Sequence, residues 1–218
     1  MNKNILRTTL TPILTVTIVF IFFRVSMGLD YFETIIGSIV VMLASYIEYG
    51  KKLFASLGFA KFKAKDFFII APLVAGMLFL LYYFVLIPSV THYTNQPIDI
   101  SQFDQLKGNL LYSSIMLLLI WTSAAFSEEI IMRGYFMRQF VKFFGDSKPS
   151  IVINILLFAT IFGFLHGYQG ITGQIITGII GLLLSLIFYL RKYDLWFNVA
   201  VHGFFDTFAL IIIYNGWY

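Results

Sequence analysis

Seven mostly apolar blocks, at about 8–29, 31–49, 67–90, 109–132, 150–166, 172–190 and 195–216, run through this chain from end to end. A helix needs about 20 such residues to cross the hydrocarbon core of a bilayer. Inside that core every backbone N–H and C=O must be satisfied within the protein, which leaves helices or a closed barrel. Blocks of this length select helices, so the pattern predicts an all-α, polytopic transmembrane bundle of seven spans, or eight if one block divides. With 59% hydrophobic and 12% charged residues among 218, little is left for a solvated surface. Soluble domains carry about a quarter charged residues. We therefore expect a single integral membrane domain over 1–218. Lys3 and Arg7 precede the first block as they would in a signal peptide, but Arg24 interrupts it and no small-x-small site follows Met27. The first span is expected to be retained.

Charge sets the orientation. Basic residues gather in alternate connections: Lys3 and Arg7; Lys51, Lys52, Lys61, Lys63 and Lys65; Arg133, Arg138, Lys142 and Lys148; Arg191 and Lys192. Segment 91–108 sets Asp99 and Asp104 against Lys107. Positively charged connections stay inside, which predicts an inside N-terminus. The formal net charge of +4 is thus accounted for by topology, and no nucleic-acid partner is expected. Segment 50–66 mixes Lys with Phe and Leu, and reads either as a plain basic loop or as an amphipathic stretch on anionic membrane lipid. With no cysteine there is no disulfide and no thiolate metal site. Thr177, Gly181 and Ser185 form a small-residue stripe for close helix packing, with no chemistry expected of it.

Ionisable residues inside apolar spans are costly and point to function. Glu129 and Arg133, at i and i+4, stack on one helix face, a spacing that suits a structural ion pair. Glu128 faces elsewhere, about 100° around the helix. A carboxylate without a paired cation can take a proton from water. His166 closes another apolar block, four residues after Phe162. Asn198, His202 and Asp206 follow at i, i+4 and i+8, putting three polar groups on one face of an apolar helix. That face has to look into the bundle or a wet cavity. Together these residues can activate a water and stabilise an oxyanion, with Glu128, His166, His202 and Asp206 as the candidate catalytic set. Glu129, Arg133, Phe162 and Asn198 are expected to support them.

In this order, these segments resemble the CPBP family of intramembrane proteases, which includes CAAX prenyl endopeptidases and bacteriocin-processing (Abi) proteins. An EExxxR motif is matched by Glu128, Glu129 and Arg133, FxxxH by Phe162 and His166, and HxxxN/D by His202 and Asp206. The resemblance covers about 109–216. It implies an intramembrane endopeptidase cleaving a membrane-anchored or lipidated protein or peptide, such as a CAAX protein or a bacteriocin or pheromone precursor. Glu128 would activate the water with help from His166, and His202 and Asp206 would support the oxyanion. Asp206 stands where the eukaryotic CAAX branch has Asn, a variation in the range of prokaryotic members, which implies a prokaryotic cell membrane. An ionised Asp donates no hydrogen bond, so orienting His202 is the role expected of Asp206.

Other readings stay open at this stage. Glu128, His166 and His202 could instead hold zinc, although no HExxH helix is present. Metal-free chemistry, with no cofactor, is the preferred expectation. A transporter or proton relay also places acids and histidines in spans, but no internal repeat supports one. A non-catalytic bacteriocin-immunity or scaffold protein is the third alternative. Tyr193-Asp194 mimics one aspartyl-protease motif without its GxGD partner, so Asp194 is expected to be a loop residue. One tension follows from the span pattern: Glu128 and His202 fall in the inner half, whereas His166 falls at an outer end. An inward dip of the Gly-rich stretch 167–173 is the expected way to bring it to them.

Overall fold

A computed structural model of the protein describes residues 5–24, 31–59 and 61–218. Lys3, Met27 and the end of the first expected span (25–29) lie outside the described residues, as does the side chain of Arg24. The described residues are helical and contain no strand. After a π turn at Leu6–Leu10, α1 covers Thr11–Arg24 and α2 Tyr31–Tyr49. A short α3 covers Leu53–Leu57, followed by α4 (Asp66–Thr94) and α5 (Leu110–Phe144). The last three are α6 (Lys148–Leu165), α7 (Gly170–Leu190) and α8 (Leu195–Asn215). Among the described residues, six helices are long and apolar enough to cross a membrane, the first of them running on from α2 through α3, and the helix at Arg7–Phe22 is shorter. The chain is therefore a multi-pass integral membrane protein.

Lipid as solvent explains the outside of the bundle. On α4, Leu73, Met77, Leu80 and Phe84 line one face and are all exposed. The opposite face carries Ala71 and Ala75, fully buried against Ile180, Leu184, Ala200 and Val201 of α7 and α8. Small residues there let neighbouring backbones come close, the main source of packing energy where lipid is as apolar as the side chains.

Local chemistry sets where helices start and stop. Asn109 caps α5, its side chain accepting from the Tyr112 amide at 3.2 Å. Asp194 caps α8 in the same way, accepting from the Phe197 amide at 3.3 Å. The aspartyl-like Tyr193-Asp194 thus has a capping role. The short α3 ends at Gly58, whose φ of +94° is left-handed. A side chain there would place its Cβ 2.4 Å from the Tyr193 carbonyl. Gly58 also accepts from the Leu195 amide at 2.9 Å, tying the start of α8 to the end of α3.

The basic connections meet at one end of the bundle. Lys142 pairs with Glu48 at 2.9 Å, Arg191 pairs with Asp66, Arg138 lies over the Tyr193 ring, and Arg7 donates to the Ile47 carbonyl. In segment 50–66, Phe59 and Phe62 pack on Trp196 while Lys51, Lys52, Lys61, Lys63 and Lys65 stay exposed.

Helix register places the site. The α5 helix is 35 residues long. Gly134, well along it, already stands level with Leu195 at the start of α8. From there α5 runs on for about 15 Å to Phe144. The α6 helix starts beyond that level and rises beside α5: Asn154 donates to the Met137 carbonyl, Phe158 stacks near Phe136, and Phe162 lies against Arg133. By Leu165 its length is spent, at the depth of Glu129. His166 is therefore delivered to mid-bundle by register, and the turn after it is a short 3₁₀ segment, Gly167–Gln169. The expected inward dip of 167–173 is replaced by a helix that simply ends there.

Candidate active site

Glu129 is the hub. It is fully buried, and Arg133 Nη1 donates to its Oε1 at 2.7 Å. His202 Nδ1 donates to the same oxygen at 2.9 Å, and Asn198 Nδ2 donates to Oε2 at 2.8 Å. Arg133, itself 1% exposed, also donates from Nη2 to the Gly181 carbonyl at 2.9 Å and lies 4.7 Å from the Phe162 ring centre. Gly181 was expected only to let helices pack. Its carbonyl also seats Arg133, and the lack of a side chain there admits Phe162, since an added Cβ would sit 2.9 Å from the ring.

Glu128 is different. It is half-buried, and its Oε2 is buried with no hydrogen-bond partner among the described residues. It lies within electrostatic reach of His202, Asp206 and Arg133. The backbone around both glutamates is π-helical, over Ile120–Glu128 and again over Ile130–Met137. Such wide turns are rare and recur at functional sites.

His166 is set by the end of α6. Its amide bonds the Gly163 carbonyl at 3.0 Å, and its ring Nδ1 lies 2.8 Å from the Phe162 carbonyl. A carbonyl only accepts, so Nδ1 carries the hydrogen and Nε2 presents a lone pair. Phe162 spaces the two imidazoles, with ring centres 4.7 Å from His166 and 6.2 Å from His202.

His202 is held between carboxylates, with Nδ1 on Glu129 and Nε2 3.4 Å from Asp206 Oδ2. Each ring nitrogen thus has an acceptor for an N–H. Asp206 is partly open, with 26% of its side chain exposed. Beside it, Gly203 admits Trp121 of α5, for a Cβ there would lie 2.7 Å from the indole.

The structure therefore brings Glu128, Glu129, Arg133, Phe162, His166, Asn198, His202 and Asp206 into one cluster. Sequence reasoning passed over Tyr168. Its ring centre is 5.7 Å from that of His166, its hydroxyl accepts from Gln169 Nε2 at 3.1 Å, and it lies within electrostatic reach of Glu128. The signal was present in Gly167-Tyr168-Gln169-Gly170, a stretch read only for its backbone. For Glu128, His166 and His202 to hold a zinc ion, His202 Nε2 would have to turn from Asp206, 3.4 Å away, to the metal, while Nδ1 stayed on Glu129. Among the described residues, no group of three or more His, Cys, Asp or Glu is placed to hold a metal ion.

No curated protein and no solved structure matches the chain. Residues 110–208, which carry every member of the cluster, match the family model described as type II CAAX prenyl endopeptidase Rce1-like.

Proposed function

We propose that this protein is a membrane endopeptidase that uses Glu128 to activate a water for attack on a peptide bond. The observation that carries the reading is the contrast between adjacent glutamates. Glu129 spends both oxygens on Arg133, His202 and Asn198, whereas Glu128 keeps a buried oxygen with no partner. Buried polar groups are nearly always paired, so an unpaired carboxylate oxygen beside two histidines fits a group that meets its partner during the reaction.

In this scheme Glu128 takes a proton from water, and the water oxygen bonds to the scissile carbonyl carbon. The His166 Nε2 lone pair accepts from the same water and orients it. The oxyanion then competes with Asp206 for the His202 Nε2–H, whose 3.4 Å contact is already long. Asp206 aims His202 from one side and Glu129 from the other. Glu128 returns its proton to the amide nitrogen, the C–N bond breaks, and the two peptide ends leave. No metal takes part in these steps. The similarity to that family points to a membrane-anchored, prenylated protein with a CAAX-type end as the substrate. Processing of a bacteriocin or pheromone precursor in a prokaryotic membrane is the narrower alternative.

The test is cleavage of fluorogenic peptides, lipidated and plain, by purified protein in detergent, with and without chelator. A general base contributes about 10²–10⁴-fold, so Glu128→Ala and His166→Ala should each lose at least 100-fold, roughly, while remaining monodisperse. Wild-type cleavage should resist chelator. Full activity in Glu128→Ala would overturn the proposal, and zinc-rescued chelator sensitivity would replace it with a metal site.

A further inference from the structure

A cavity of about 420 Å³ opens at the basic end of the bundle between α2, α5 and the connection before α8. Ser45, Tyr49, Arg138, Gln139, Lys142 and Tyr193 line it, and none of the active-site cluster does. Nothing in the proposed hydrolysis uses these residues.

The cavity carries unspent hydrogen-bonding capacity of both kinds. Ser45 is fully buried and its hydroxyl has no partner among the described residues. Gln139 is 5% exposed, and its Oε1 likewise lacks a donor. The amide nitrogen of Gln139 is already committed to Glu48 Oε2 at 2.9 Å, so its unpaired oxygen is the acceptor this lining residue has left to offer. Arg138 is half-buried and lies 5.5 Å from the Tyr193 ring centre, while the ion pairs among the described residues do not include it. A guanidinium outside any ion pair presents a planar fork of N–H donors that suits an oxyanion.

Charge narrows the ligand. Lys142 pairs with Glu48, whose side chain is 1% exposed, and that carboxylate also accepts from Tyr135. One cation is thereby neutralised, and Arg138 remains. A single residual positive charge matches a phosphate diester, with one negative charge, better than a divalent phosphate monoester. The free Gln139 oxygen asks in addition for a hydroxyl donor on the same ligand.

We propose that this cavity binds a phosphodiester head group bearing a hydroxyl, with the phosphate on Arg138 and Lys142. Ser45 donates to a phosphate oxygen, and a ligand hydroxyl donates to Gln139 Oε1. The same chemistry is offered by a polyol phospholipid and by a soluble glycerophosphodiester.

Native mass spectrometry of the full chain in detergent separates the two sources. Wild type, Arg138→Gln, Arg138→Lys and Ser45→Ala would each be titrated with phosphatidylglycerol, phosphatidylcholine and soluble glycerophosphoglycerol. Wild type should prefer phosphatidylglycerol over phosphatidylcholine by about tenfold. Losing a charge-assisted pair should weaken that binding by about tenfold or more in Arg138→Gln, with smaller losses in Arg138→Lys and Ser45→Ala. The same Arg138 dependence for glycerophosphoglycerol would support the site with a soluble source. Equal binding of the two lipids by wild type, or unchanged binding in the variants, would overturn it. If Arg138→Gln is not monodisperse, Arg138→Lys and Ser45→Ala decide the matter by the same comparison.

Discussion

Arg133 and Glu129 sit where neither water nor lipid head groups reach them, with 1% and 0% of their side chains exposed. Removing one member of a buried pair strands the other, at a cost of about 3–5 kcal/mol. Arg133→Leu should therefore lower the unfolding midpoint in detergent by that order of stability. Glu128→Gln should stay within about 1 kcal/mol of wild type, because no partner is lost. Thermal unfolding of both variants followed by circular dichroism checks the contrast. Similar losses would mean that Glu128 is structural too. Tyr168 makes a separate test: if it touches substrate, Tyr168→Phe should lower cleavage and leave the midpoint unmoved.

Helix contacts decide how well the site is held. On α6, a Cβ added at Gly163 would lie 2.6 Å from the Gln174 carbonyl and 3.1 Å from the Gly178 Cα of α7. Backbone cannot swing aside as a side chain can, so the two helices would have to part. Gly163→Val is expected to cost about 1–3 kcal/mol and to shift His166, three residues on. Cleavage should then fall more than ten times, roughly, even at a temperature where the variant is folded, since small misplacements are costly to catalysis. A folded Gly163→Val with wild-type turnover would show that His166 does not depend on this contact.

For the molecule as a whole, the shared end of the basic connections predicts orientation. The chain has no cysteine, so single introduced cysteines report cleanly. A cysteine at Lys61 should react with a membrane-impermeant maleimide only in opened vesicles or cells, and one at Asp104 should react from outside. The reverse pattern would invert the N-inside assignment. Asp99, in the same connection as Asp104, has its pKa lowered by bonds from the Ser101 hydroxyl and amide. It stays ionised at the pH of such labelling.

Long apolar blocks were enough to establish the helical membrane class, because lipid accepts no other backbone arrangement of that length. The i, i+4 spacings of Glu129 with Arg133 and of His202 with Asp206 were legible for the same reason, being properties of one helix each. Asp194 shows the limit of local reading, since a motif-like dipeptide proves to be a helix cap. What no single segment carries is register between helices. Only the packing of α6 beside an over-long α5 brings His166 level with Glu129. Only the approach of α8 turns Asn198 and His202 onto Glu129, and so separates it from Glu128. These contacts join residues about 70 positions apart, at Asn198 to Glu129 |i−j| = 69 and at His202 to Glu129 |i−j| = 73. They follow from how small residues let helices approach and from which buried donors need an acceptor, conditions that exist only once the bundle has closed.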